Sequence, residues 1–310
     1  MSKTAFLFAG QGAQYISMGK ELYDHFLGCR EIFEEASESI HLDLAKLIFN
    51  GEKEELNLTK NTQPAVVTMS LAALFAVREY GISPDMVAGL SLGEYSALSA
   101  SGVFTLSQVV PLVQKRGSFM QEAVPEGLGK MCAVLGLGED KVREACNEAR
   151  VYGIVEPANF NCPGQIVIGG EIKAVDEAAK LAKSKGAMKT MDLAVSAPFH
   201  TSMLKPAADR LKLELETLTL GELKTPLISN VNADYVKDKN QVKDLLYQQV
   251  MSSVLWEQTI RRMIEDGVQN FVEIGPGKTL SGFVKKIDRS LNIYHVEDLA
   301  SLEATATALR

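Results

Sequence analysis

The sequence predicts an α/β protein: a central, mostly parallel sheet with helices on both faces, and a small βαββαβ unit inserted into the larger part. Three observations predict it. Short apolar runs at residues 5–8 and 86–90, each closing on glycine or a tight turn, alternate with longer stretches of helical periodicity. Between about 127 and 195 the rhythm changes to strand, helix, strand, strand, helix, strand. The chain has 310 residues, more than the ~150 of one ordinary domain and enough to bury a sizeable core.

Residues 5–8 form the first strand and run into Gly10, and amphipathic spacing over 18–26 and 32–49 predicts helices. Pro64 opens a further helical segment that Gly81 closes, the usual placing of proline inside a start and glycine past an end. A buried strand over 86–90 then leads through Ser91-Leu92-Gly93 into a helix of small residues at 94–100. The helical pattern over 106–120 contains Pro111, which predicts a start or a kink there. In the insertion, strands fall at 131–135, 151–155, 165–168 and 188–193 and helices at 139–149 and 174–185, the order of a ferredoxin-like split unit. The larger part resumes with helices near 203–216 and 241–251, strands at 227–229 and 271–274, and a helix from Thr279. The chain thus divides into a large domain, residues 1–126 and 197–310, and a small one, residues 127–196.

Composition narrows the function. Hydrophobic residues make up 46% and charged residues 23%, the balance of an ordinary globular chain. A net charge of -7 predicts no general attraction to nucleic acid or to an anionic membrane. The four cysteines, Cys29, Cys132, Cys146 and Cys162, form no CxxC pair and have no histidine at metal-ligand spacing, so they read as reduced thiols of a cytoplasmic protein. The N-terminal apolar run is too short for a signal peptide, and the longest apolar stretch, 65–77, falls short of a membrane span of ~20 residues.

The sharpest chemical signal is Gly89-Leu90-Ser91-Leu92-Gly93, a GxSxG between a predicted strand and a predicted helix. In that setting the string reads as a nucleophile elbow of a hydrolase-like large domain. The turn forces Ser91 into strained backbone angles, and small residues two before and two after let the chain pass itself. The hydroxyl then stands at a helix N-terminus, where free N–H groups, that of Leu92 included, can hold an oxyanion. A serine needs a base. His25, His41 and His295 lie in surface or packing contexts, whereas His200 follows Ala197-Pro198-Phe199 at the return from the insertion, where a cleft between domains is expected. Asp192, Asp234, Glu273 or a backbone carbonyl could orient the imidazole. Two glycine strings fail their motifs: Gly10-Gln11-Gly12 has Tyr15 where a dinucleotide site wants its third glycine, and Gly277-Lys278-Thr279 has Val272 where a P-loop wants its first.

Six strings, in order, extend the pattern: Phe8-Ala9-Gly10-Gln11-Gly12-Ala13-Gln14, Gly89-Leu90-Ser91-Leu92-Gly93-Glu94-Tyr95, Arg116-Gly117, Asn159-Phe160-Asn161 with Pro163-Gly164-Gln165, Ala197-Pro198-Phe199-His200, and Glu273-Ile274-Gly275-Pro276-Gly277. Together they resemble the malonyl-CoA:acyl-carrier-protein transacylases, nearly end to end. The resemblance implies that Ser91 is the acylated nucleophile and His200 the general base and then acid. It implies an oxyanion hole from the N–H groups of Gln11 and Leu92, and a backbone carbonyl of Gln249 that orients His200. Arg116 would hold the free carboxylate of malonyl, and Asn159, Gln165, Leu90 and Phe199 would line the cleft. Leu90 is a departure, because the family usually carries histidine there; altered polarity of the pocket wall with retained chemistry is expected. Phe199 matches the malonyl-preferring form of related polyketide acyltransferases.

The substrate implied is malonyl-CoA, a coenzyme A thioester, with no permanently bound cofactor and no metal; the phosphopantetheine arrives on an acyl carrier protein. A planar guanidinium suits Arg116 to this task, since it can grip a carboxylate with two parallel charge-assisted bonds. Carrier proteins are usually acidic, so clustered cations should dock one: Lys180, Lys183, Lys185 and Lys189, or Lys285, Lys286 and Arg289. The default role is extender supply for fatty acid synthesis. A stand-alone acyltransferase for polyketide synthesis, a serine esterase or thioesterase, and a non-catalytic carrier-docking protein are the alternatives.

Overall fold

The computed structural model of the protein describes residues 2–125, 127–195 and 197–309. Two sheets organise it. The first is wholly parallel among its named strands, in the order β2-β1-β7-β8: β1 Lys3–Phe8, β2 Met86–Gly89, β7 Val268–Ile274 and β8 Asn292–Val296. Alternation along β1 decides what packs where. Phe6 and Phe8 face a core built with Met18, Leu22, Phe33 and the long helix that follows, while Ala5 and Leu7 face Trp256, Ile260, Met263, Leu280 and Phe283. Both faces of the sheet are therefore covered, as a parallel sheet requires.

The helices of the first half are α1 Lys20–His25, α2 Leu27–Ile40, α3 Leu44–Asn50, α4 Lys53–Leu56, α5 Thr59–Glu79, α6 Gly93–Ser101 and α7 Leu106–Glu122. The second sheet is antiparallel, ordered β4-β5-β3-β6, from β3 Gly129–Leu135, β4 Val155–Cys162, β5 Gln165–Glu171 and β6 Lys189–Asp192, with α8 Glu139–Ala149 and α9 Ile172–Ser184 between its strands. Its strands also alternate. Cys132 and Val134 pack under α8 and α9, whereas Met131 and Ala133 join the core of the larger part beside Ala197 and Phe199. The chain closes with α10 Lys205–Glu216, α11 Val242–Met251, α12 Trp256–Glu265, α13 Thr279–Ile287 and α14 Leu299–Leu309. Val254, between α11 and α12, hydrogen-bonds the edge of β4 through Phe160 N–H and Ala158 oxygen, both at 2.9 Å, which ties the small sheet to the larger part.

Several elements differ from the sequence reading. The single helix expected over 32–49 is two, because His41 takes a left-handed backbone (φ 52°) that ends α2, and the Asp43 side chain caps α3 by accepting from Lys46 N–H. Pro64 does not open α5, which begins at Thr59; the proline sits inside the helix, as does Pro111 in α7, which starts at Leu106 behind a Thr105–Gln108 capping box. The second insertion strand runs Val155–Cys162 instead of 151–155, preceded by a 3₁₀ turn at Arg150–Tyr152. Residues 227–229 form only isolated bridges to Val87 and Tyr235. The expected domain joints at Glu126 and Ser196 lie outside the described residues. No helix among the described residues is long and apolar enough to cross a membrane.

Candidate active site

The site is built where β1 and β2 end side by side, at the carboxyl edge of a parallel sheet where ligands of open α/β folds bind. β2 stops at Gly89 and α6 starts at Gly93, so the chain reverses within three residues and Ser91 takes φ 52°. A Cβ on Gly89 would collide with the backbone of Gly93, and one on Gly93 with the carbonyl of Phe8. The two glycines are thus a steric condition of the turn. Asn230 fastens it from outside: its Oδ1 accepts from Ser91 N–H at 2.6 Å and its Nδ2 donates to Gly89 oxygen at 2.8 Å.

His200 comes from the segment after the small sheet and is also left-handed, at φ 60°. Its Nε2 lies 2.6 Å from Ser91 Oγ, and its Nδ1 lies 2.8 Å from the carbonyl oxygen of Gln249 on α11. A carbonyl only accepts, so Nδ1 carries the proton and Nε2 is free to take one from serine. Burial and the nearby Arg116 charge push the imidazole down to about 4, against an opposing pull from the Gln249 carbonyl. The resting ring is neutral at physiological pH, the state a general base requires. Asp192, Asp234 and Glu273 do not orient it. Asp192 pairs with Lys130, Asp234 lies near Arg262, and Glu273 accepts from the N–H groups of Leu280 and Ser281 at the start of α13.

Arg116 is 1% exposed on α7. Its position depends on Gly117, where a Cβ would lie 2.6 Å from the Thr59 carbonyl oxygen; the two helices touch backbone to backbone there. The guanidinium donates to Gln63 Oε1 at 3.0 Å, to Gln249 Oε1 at 3.1 Å and to Ser91 Oγ at 3.3 Å, lies over the Tyr95 ring at 5.2 Å, and leaves Nε without a hydrogen-bond partner among the described residues. A buried arginine with donors to spare, reaching the nucleophile itself, is a preformed seat for an anionic group. Burial lowers its pKa.

Gln11 lies in the turn after β1, and Gly10 before it packs directly against the Leu90 carbonyl. The Gln11 side chain accepts from Gln63 Nε2 at 3.3 Å and donates to Thr59 Oγ1 at 3.4 Å. Among the described residues the backbone N–H groups of Gln11 and Leu92 take no part in the hydrogen bonds of these turns, whereas that of Ser91 is spent on Asn230. Leu90 is half-buried with the apolar cluster around Trp256, and Phe199 is packed into the main core. Asn159 sits in β4, which Val254 borders at the seam between the two parts. Gln165 stands apart, accepting from Lys286 Nζ at 3.0 Å across the same seam.

Sequence reasoning assigned nothing to Asn230, Gln63 and Glu94. Glu94 is 1% exposed; its carboxylate accepts from Gln249 Nε2 at 2.7 Å and Asn230 N–H at 3.3 Å, and burial pushes it up to about 7. Asn230 and Gln63 lie in no motif, but Glu94 stood three residues from the nucleophile, where a charged side chain in a run of small residues was the available signal. Among the described residues no cluster of His, Cys, Asp or Glu could hold a metal ion.

Residues 5–304 match the acyl transferase domain family. The chain is 47% identical to the malonyl CoA-acyl carrier protein transacylase of Bacillus subtilis over 311 residues, covering 100% of this chain and 98% of that one. It superimposes with a TM-score of 0.97 on the crystal structure of malonyl CoA-acyl carrier protein transacylase from Clostridium perfringens, at 48% identity, covering 100% and 98% of the two chains. A TM-score of 0.97 at 40% identity relates it to a malonyl-transacylase in complex with a type II polyketide acyl carrier protein, covering 99% and 100%. The chain belongs to the malonyl CoA-acyl carrier protein transacylase family of acyl transferase domains.

Proposed function

We propose that this protein transfers the malonyl group of malonyl-CoA to the phosphopantetheine thiol of acyl carrier protein, through an ester on Ser91. One observation carries the reading. Ser91 Oγ has a neutral imidazole nitrogen at 2.6 Å on one side and a buried guanidinium nitrogen at 3.3 Å on the other, so nucleophile, base and carboxylate seat converge on one atom.

Ser91 Oγ attacks the thioester carbonyl as its proton passes to His200 Nε2, and the Gln249 carbonyl stabilises the imidazolium that forms. The N–H groups of Gln11 and Leu92 hold the tetrahedral oxyanion. Collapse expels coenzyme A, which leaves with the proton from His200. In the second half the carrier thiol gives its proton to His200, attacks the malonyl ester, and Ser91 recovers the proton as it leaves. Arg116 binds the malonyl carboxylate throughout, with Gln63 and Gln249 fixing the plane of the guanidinium. The reacting groups are side chains and substrate thioesters, so the reading needs no resident cofactor. Asn159, Leu90 and Phe199 form the cleft wall, and Gln165 its outer margin.

The large and small domains of this reading are residues 1–126 with 197–310, and 127–196; the separate parallel and antiparallel sheets support the division. The carrier protein docks on Lys285, Lys286 and Arg289. Ion pairs already occupy Lys180 with Glu177 and Lys185 with Glu144 and Glu148, whereas Lys285, Lys286 and Arg289 carry no ion pair among the described residues, and Lys286 reaches the cleft margin at Gln165. The pathway is fatty acid synthesis in the cytoplasm, in keeping with four buried free thiols. The polyketide reading draws support from the carrier complex among its structural relatives.

Incubation with malonyl-CoA and phosphopantetheinylated carrier protein, followed by mass analysis of the carrier, tests the proposal. Malonyl-carrier protein is expected from malonyl-CoA and far less acyl-carrier from acetyl-CoA. Free malonate with unmodified carrier would establish an esterase instead.

A further inference from the structure

Glu94 is a fully buried carboxyl that the mechanism above does not use. A group so far from water needs donors or a counter-charge. Its donors include Gln249 Nε2 and Asn230 N–H, and those two residues hold the reaction centre: Asn230 grips the elbow, while Gln249 holds Ser91 oxygen, His200 and Arg116. Arg116 is equally buried, and its hydrogen-bond acceptors among the described residues, Gln63, Gln249 and Ser91, are all neutral. None of them cancels its charge.

The Gln249 carboxamide lies between the two ions. Its Oε1 accepts from Arg116 Nη2 at 3.1 Å and its Nε2 donates to Glu94 Oε2 at 2.7 Å, so the amide dipole points the right way for both. We propose that Glu94 is the resident counterion of Arg116, joined to it through Gln249, and that it competes for that charge with the carboxylate of the incoming acyl group. The proposal rests on the malonyl-transfer reading and deepens it. Glu94 touches no substrate; it is a positioning residue that sets the net charge the acyl carboxylate meets.

Two carboxylates around one guanidinium repel, so binding of the malonyl group draws a proton from solvent onto Glu94. The titratable groups around it are Arg116 from α7, Tyr95 on its own helix and His200, which shares Gln249 with it; Ser229 and Asn230 face it as neutral donors. Tyr95 is held up at about 12 and His200 down at about 4, so neither changes charge between pH 6 and 8. Burial places Glu94 itself at about 7, inside that window.

The test is the affinity of the Ser91→Ala protein for malonyl-CoA relative to acetyl-CoA at pH 6 and pH 8. Both ligands carry the same nucleotide phosphates, so the ratio cancels their titration, and the malonyl carboxylate is ionised throughout. The expected ratio is about fivefold or more higher at pH 6, where Glu94 is protonated and Arg116 is free. Adding Glu94→Gln should raise the pH 8 ratio to the pH 6 value and flatten the profile, while Glu94→Asp should keep the pH dependence. A flat ratio in the Ser91→Ala protein alone, a result that needs no folded Glu94 variant, overturns the proposal. So does a Glu94→Gln protein that weakens both ligands equally. Failure of wild-type protein to form any malonyl ester would sink the transferase reading, which is a separate observation.

Discussion

Ser91 and His200, 109 positions apart in the chain, meet at 2.6 Å with both backbones in the left-handed region, at φ 52° and 60°. That conformation is uncommon for any residue but glycine, so each position holds local strain that the surrounding packing sustains. Gly89, Gly93 and the Asn230 side chain sustain it at the elbow. Ser91→Gly should therefore be more stable than Ser91→Ala by about 1 kcal/mol, because the left-handed φ strains alanine and not glycine. Chemical denaturation of the two inactive proteins checks this; equal midpoints would mean that the elbow is unstrained.

Replacing Arg116 by alanine separates the carboxylate seat from the acyl-transfer machinery. Loss of a bidentate charge-assisted contact of about 2–4 kcal/mol predicts a fall of roughly 30- to 1000-fold in malonyl transfer. Acetyl transfer should be spared or improved. Parallel rate measurements with the two thioesters decide it, and equal losses would remove Arg116 from the specificity pocket.

The acid limb of acylation should lie far below that of an ordinary histidine. Desolvation and the Arg116 charge both disfavour the imidazolium and hold His200 down at about 4. Protonation on the way down in pH removes the base, so the single-turnover rate at saturating malonyl-CoA should hold from pH 7.5 to 5.5 and be halved near pH 4. Halving near the usual imidazole value of about 6.5 would show an unperturbed ring. Arg116→Ala should move the limb upward, since one of the two depressing influences is gone.

Charge reversal at Lys285, Lys286 and Arg289 should raise the KM for carrier protein several-fold at low salt and leave coenzyme A release in the first half-reaction unchanged. The effect should shrink at high salt as screening grows. Reversal of Lys183 and Lys189 should do less. The opposite ranking would move the docking surface to α9 and β6.

Parts of this molecule announce themselves in the sequence because a local physical constraint leaves a local mark. The β1 strand, the elbow glycines and the split βαββαβ order belong here: apolar runs, a steric need for missing side chains, and a change of periodicity are all short-range signals. The break between α2 and α3 left none, because hydrophobic periodicity continues across His41, whose left-handed backbone is what ends the helix. Pro64 misled for a related reason: proline is suited to a helix start, yet α5 is buried on nearly every side and its packing carries the helix five residues further back. Asn230 and Gln63 were silent because a single amide brought in by tertiary folding has neither spacing nor pattern. Gln249 and Arg116 were legible only through the family resemblance; their separate places on α11 and α7 give no sequence reason for a 3.1 Å contact.

Acyl transfer by this route requires the Ser91 hydroxyl to become an ester of malonate. Intact-mass measurement of the protein after brief exposure to malonyl-CoA, with Ser91→Ala and His200→Ala beside it, tests this most directly. A single malonyl-sized increment on the wild type, absent from the serine variant and strongly delayed in the histidine variant, is the predicted result. An increment that survives in Ser91→Ala, or none on the wild type, would contradict it.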